Sequence, residues 1–119
     1  MSLYEELHWR GLVHQTTDDK LGVWLNDRPR TLYAGFDPTA DSLHVGSLLP
    51  LLLLRRFQRA GHKPIAVVGG ATGMIGDPSG KSDERNLLSP EQISHNVGGL
   101  RKQMQRFLDF DRGPHGAAV

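Results

Sequence analysis

Two short apolar stretches, Thr31–Phe36 and Ile65–Val68, bracket a helix-length segment, and that order constrains the fold more than any other feature of the chain. The first stretch reads as a strand entering a loop at Gly35, the loop being Asp37-Pro38-Thr39-Ala40-Asp41-Ser42. The segment from about His44 to Ala60 reads as a helix stopped by Gly61, since glycine readily takes the left-handed conformation that ends helices. The second stretch follows Pro64 and is apolar at four consecutive positions. Continuous apolarity at strand length predicts a strand covered on both faces, as in parallel sheets. Strand, helix and strand in about 35 residues make a βαβ unit, with a right-handed connection expected. The fold class is therefore α/β.

The flanks add helices. Leu3, Leu7 and Trp9 recur at loose helical spacing before Gly11, and Leu21, Trp24 and Leu25 form the expected buried stripe of a second helix. Thr16 or Thr17 could cap that second helix, with Asp18 and Asp19 near its positive end. After a glycine-rich stretch, Gly69 to Gly80, the sequence Ser89-Pro90-Glu91-Gln92 is a helix start with a capping serine and a reciprocal Gln92. Ile93, Val97, Leu100, Met104, Phe107 and Leu108 then mark one apolar face. Gly98 and Gly99 interrupt that helix at a cost of about 1 kcal/mol each. The tail, Asp111 to Val119, offers no element to complete the sheet. Two strands are too few for a stable open sheet, so the chain is expected to be a piece of something longer.

Charge and composition exclude several classes. Fourteen basic residues against 13 acidic leave a net charge of +1, with no broadly basic face for nucleic acid. There is no cysteine, hence no disulfide framework and no thiolate metal site. The first ten residues carry Glu5, Glu6, His8 and Arg10 and do not form a secretory leader. The run Leu48 to Leu54, broken by Pro50, is far below the roughly 20 residues of a membrane span. A cytoplasmic protein is expected.

Chemistry concentrates at the end of the first strand. A strand end, tight loop and helix start leave several backbone N–H groups free at the positive end of the helix dipole, which suits an anion. His44 stands at that mouth, and Gly46 leaves room for a flat ligand against the backbone. Taken singly, these residues have ordinary explanations: Tyr33 as a core aromatic, His44 as a cap, Asp77-Pro78-Ser79-Gly80 as a turn, Lys81 and Arg85 as solvated charges. Gly76 to Ser82 imitates a phosphate-binding Walker loop but has three residues between its glycines, not four. The remaining histidines have no metal-ligand spacing.

Taken together and in order, the residues are specific. Tyr33-Ala34-Gly35-Phe36-Asp37-Pro38-Thr39-Ala40, His44-Val45-Gly46-Ser47, Arg55-Arg56-Phe57-Gln58, Gly69-Gly70-Ala71-Thr72-Gly73, Ile75-Gly76-Asp77-Pro78-Ser79-Gly80-Lys81 and Arg106-Phe107-Leu108-Asp109-Phe110 succeed one another along nearly the whole chain. This series resembles the class I aminoacyl-tRNA synthetases, in their bacterial-type tyrosine-specific branch. The resemblance implies amino-terminal helices followed by the first half of a Rossmann-like parallel sheet, incomplete, with residues 1–119 as the amino-terminal part of the catalytic domain. It implies activation of L-tyrosine with ATP, accompanied by Mg2+, and transfer to tRNA(Tyr) by a homodimeric enzyme. By position, Tyr33 and Asp77 would bind tyrosine. Gly35, Asp37, Gly46 and Ser47 would line the ATP or adenylate site. Thr39, His44, Lys81 and Arg85 would act on the phosphates. No protein-bound metal is implied.

Two positions, Ser47 and Ala34, depart from the pattern. Ser47 replaces the second histidine of the His-x-Gly-His signature; its shorter side chain is expected to weaken a contact to ribose or route it through water. Ala34 replaces a cysteine found in many relatives, and Pro50 lies inside the helix. The second signature of the family and its anticodon-binding domain are absent from these residues. The alternatives are another nucleotidyltransferase of the superfamily, including a tryptophan relative, or a non-catalytic fragment or binding module that keeps the site's shape. The chain by itself is expected to be inactive.

Overall fold

The computed structural model describes residues 1–69, 89–110 and 116–119. The elements are α1 (Leu3–Trp9), α2 (Leu21–Asp27), β1 (Thr31–Phe36), α3 (Val45–Arg59), β2 (Lys63–Val68) and α4 (Pro90–Met104). β1 and β2 pair in parallel, Tyr33 opposite Ile65 and Gly35 opposite Val67. The expected βαβ unit is therefore present, with Gly61 at φ +98° closing α3.

Hydrogen bonding divides β2 into two edges. The N–H groups of Lys63 and Gly69 donate to Arg30 and Phe36 on the β1 side. On the other side Ala66 N–H donates to the Ala118 carbonyl at 2.8 Å, and Ala118 N–H donates to the Pro64 carbonyl at 3.1 Å. The tail thus starts a second parallel pairing, Ile65 with Ala118, where no sheet element was expected. One small residue with free backbone groups suffices for a bridge, and no side-chain pattern announces it.

Alternation sets the layers. Even-numbered Leu32, Ala34, Phe36, Ala66 and Val68 face a core built with Leu51 and Leu54 of α3, Leu100 and Met104 of α4, Leu108 and Ala117. Odd-numbered Tyr33 and Val67 remain 74% and 42% exposed. The expectation of a β2 buried on both faces is thus corrected: among the described residues, α3 and α4 cover only the even face. β2 is apolar along its length, but only one face has a partner here.

The helix ends follow local chemistry. Ser89 Oγ accepts from Gln92 N–H while Gln92 Oε1 accepts from Ser89 N–H, the expected reciprocal cap. Ser2 and Glu5 form a second such pair at α1, which the sequence reading overlooked. In α2 neither Thr16 nor Thr17 is the cap; Lys20 holds that position, and Asp18 Oδ1 accepts its N–H at 2.8 Å. Only Leu25 of the expected α2 stripe is buried. Trp24 is 47% exposed, and the Arg30 guanidinium, 4.0 Å from its ring centroid, covers its face.

Candidate functional site

The site is built where β1 hands over to α3. Phe36 and Pro38 are buried and anchor the loop on the core side, while Asp37, Thr39 and Asp41 are exposed. Ligands of open parallel sheets bind at the carboxyl ends of the strands, and the 37–44 loop occupies that position beyond β1.

His44 is the N-cap of α3. Its Nδ1 accepts the N–H of Gly46 at 3.1 Å. A neutral ring that accepts at Nδ1 carries its hydrogen at Nε2, so the exposed His44 offers a donor outward. The ring folds over Gly46, where a Cβ would lie 2.9 Å from the imidazole Cε1. The missing side chain at Gly46 therefore makes room for His44's own ring, a closer occupant than the flat ligand expected from sequence. Ser47 is half-buried in the same turn, its N–H donating to the His44 carbonyl at 3.0 Å. α3 continues through Pro50, which has no N–H to offer the Gly46 carbonyl one turn back.

Two hollows flank this loop. Thr39 lines one of about 460 Å³ with Asp41, Glu91, His95 and Asn96 from the start of α4. His44 lines another of about 310 Å³ with Leu48, Gln103, Arg106 and Phe107. Asp41 and Glu91 line the hollow beside Thr39, and Arg106 lines the one beside His44. On the open sheet face, the exposed Tyr33 neighbours Gly35, above which a Cβ would meet nothing within 4 Å. Tyr33 and Gly35 thus share one open surface, and Asp37, Thr39, His44, Gly46 and Ser47 share the adjoining loop and helix turn. Asp77, Lys81 and Arg85 lie outside the described residues.

Sequence reasoning passed over residues of α4 that touch the loop. Asn96 is 8% exposed and its Nδ2 donates to the Pro38 carbonyl at 2.9 Å. Gln103 Oε1 accepts the Leu43 N–H at 2.6 Å. A Cβ on Gly99 would overlap the Asp41 carbonyl. The available signal was a polar residue at the spacing of an apolar face, beside a glycine pair that weakens the helix.

Residues 25–118 match the family described as tRNA synthetases class I (W and Y). The tyrosine–tRNA ligase of Rhodopirellula baltica is 65% identical over 111 residues, 92% of this chain and 25% of that protein. That of Bacillus caldotenax is 57% identical over 120 residues, 100% of this chain and 29% of that protein. The chain thus spans between a quarter and a third of the length of these curated relatives. Among solved structures, a C-terminally truncated mitochondrial tyrosyl-tRNA synthetase of Coccidioides posadasii superposes with a TM-score of 0.73 at 30% identity, covering 99% of this chain and 34% of that one. Its counterpart from Aspergillus nidulans has the same TM-score at 32% identity, covering 88% of this chain and 30% of that one. The loop, helix and strand described above are therefore those of a member of the class I tRNA synthetases of the W and Y group, to which this chain belongs.

Proposed function

We propose that these 119 residues form the amino-terminal part of the catalytic domain of a tyrosine–tRNA ligase and carry the first half of its tyrosine-activating site. In this reading the carboxylate of L-tyrosine attacks the α-phosphorus of ATP, the bond to the bridging oxygen breaks, and pyrophosphate leaves. A terminal ribose hydroxyl of tRNA(Tyr) then attacks the tyrosyl carbonyl and releases AMP. The first step needs no general base, because the attacking carboxylate is already ionised at neutral pH. It needs alignment, and donors for the charge on phosphorus and the leaving group.

The observation that carries the reading is the arrangement at His44. Capping through Nδ1 fixes the ring and presents Nε2–H at the helix start. Thr39 supplies a hydroxyl from the same loop. Lys81 and Arg85 would add cations, with Mg2+ arriving on the phosphate oxygens of ATP as part of the substrate. Tyr33 and Asp77 would read the phenol and the ammonium of tyrosine; Gly35, Asp37, Gly46 and Ser47 would line the adenylate. Homodimerisation and a cytoplasmic location belong to the same reading. The names and identities of the relatives support it.

The test is tyrosine-dependent exchange of pyrophosphate into ATP by the full-length protein that carries these residues. His44→Asn keeps a capping oxygen, but its amide N–H falls short of the position that the imidazole Nε2–H reaches. It should lower kcat about a hundredfold with little change in tyrosine affinity. Exchange unaffected by this change would refute the role of His44. The 119-residue chain alone should show little or no exchange.

A further inference from the structure

The loop between β1 and α3 is held by α4, an element about 60 residues later in the chain. Asn96, Gly99 and Gln103 follow one another at spacings of three and four, so they share one face of α4. Each meets the loop at a backbone group. Asn96 Nδ2 donates to the Pro38 carbonyl, Gly99 lies against the Asp41 carbonyl, and Gln103 Oε1 accepts from Leu43 N–H. Pro38 immediately precedes Thr39, and Leu43 immediately precedes His44. Both proposed phosphate-gripping side chains therefore sit one residue from a point where α4 pins the backbone.

We propose that this face of α4 is a positioning clamp, with Asn96 and Gln103 setting the loop so that Thr39 and His44 meet the phosphates of ATP. The proposal rests on the functional reading above and deepens it. Asn96 is buried among Ile93, Leu100 and Met104, where an unpaired amide would be costly, so the Pro38 carbonyl is its structural reason for being there. The glycine at 99 has the same explanation, since any side chain would push the loop off the helix. Neither Asn96 nor Gln103 needs to touch substrate. They act through the loop's backbone.

The experiment uses the full-length protein that carries these residues and two substitutions of similar volume. Gln103→Glu keeps an acceptor for Leu43 N–H; Gln103→Met fills the same space without one. Gln103→Met should lower kcat for tyrosine-dependent pyrophosphate exchange about ten- to a hundredfold, the cost of a small misplacement. Tyrosine affinity should stay within about twofold, because the proposed tyrosine readers lie off this loop. Gln103→Glu should restore most of the rate. Hydrogen exchange at the Leu43 amide should speed up in Gln103→Met and stay slow in Gln103→Glu, a readout independent of activity. Equal losses in the two variants would mean packing alone and would overturn the clamp. So would a Gln103→Met protein with an ordinary rate or a still-protected Leu43 amide. Absence of exchange in the unsubstituted protein is a separate failure: it sinks the activity reading, and the clamp's catalytic role with it.

Discussion

Nδ1 of His62 accepts the backbone N–H of Arg30 at 2.9 Å, tying the residue before β1 to the residue before β2. The Arg30 guanidinium in turn covers the Trp24 ring and donates to the Trp24 carbonyl at 3.0 Å, and it lies 3.4 Å from Asp27. One histidine acceptor thus links the sheet to the end of α2. Burial, and secondly the positive charge of Arg30, hold the His62 pKa below its ordinary 6.5.

A protonated His62 loses the lone pair that Arg30 N–H needs. Below pH 6.5 the unfolded chain takes up a proton that the folded chain resists. The contribution of His62 should therefore be fully present above 6.5, be lost as pH drops from 6.5 toward the lower folded value, and level off beneath it. Thermal unfolding of the protein and of His62→Asn, which keeps an acceptor but does not titrate, should show a shallower acid loss in the variant. Equal slopes would remove His62 from the account.

Gln58 is 4% exposed near the end of α3 and binds one residue twice. Its Nε2 donates to the Asp109 carbonyl at 2.6 Å, and its Oε1 accepts the Asp109 N–H at 2.9 Å. Gln58→Leu keeps the volume but removes both bonds, leaving the Asp109 carbonyl with the Ala117 N–H at 2.8 Å. It should lower unfolding stability by about 1–3 kcal/mol, read from the urea midpoint at unchanged slope.

Leu49 and Leu51 belong to one apolar run in the sequence yet differ completely in environment. Leu51 is 0% exposed and Leu49 is 64% exposed. Leu51→Ala should cost about 2–5 kcal/mol through lost burial and the cavity left behind. Leu49→Ala should stay within about 0.5 kcal/mol, as for a surface site. Denaturant titration of the two variants side by side checks the assignment of α3's core face.

Tyr33→Phe should leave the fold intact, since the ring is 74% exposed on the open sheet face. In the full-length protein it should reduce the preference for tyrosine over phenylalanine by about five- to tenfold, the worth of one hydrogen bond to the phenolic hydroxyl. The measurement is the ratio of kcat/KM for the two amino acids. An unchanged ratio would assign the phenol to another residue.

Local signals carried the elements. A glycine able to take φ +98° ends α3, a serine with glutamine three residues on starts α4, and apolar runs of strand length become β1 and β2. These depend on torsional preference and hydrogen bonds among near neighbours, which a short window of sequence contains. The order of motifs also sufficed to identify the family.

The layers and the loop were settled only when the chain packed. Whether Trp24 is buried, which face of β2 is covered, and where Ala118 pairs depend on partners distant in sequence. So does the shape of the 37–44 loop: its bonds to Asn96 and Gln103 span 58 and 60 residues. A buried asparagine and a mid-helix glycine look like defects in an isolated α4. They become sensible only against the loop, because a polar group and a missing side chain acquire their energetic meaning from what tertiary packing places beside them.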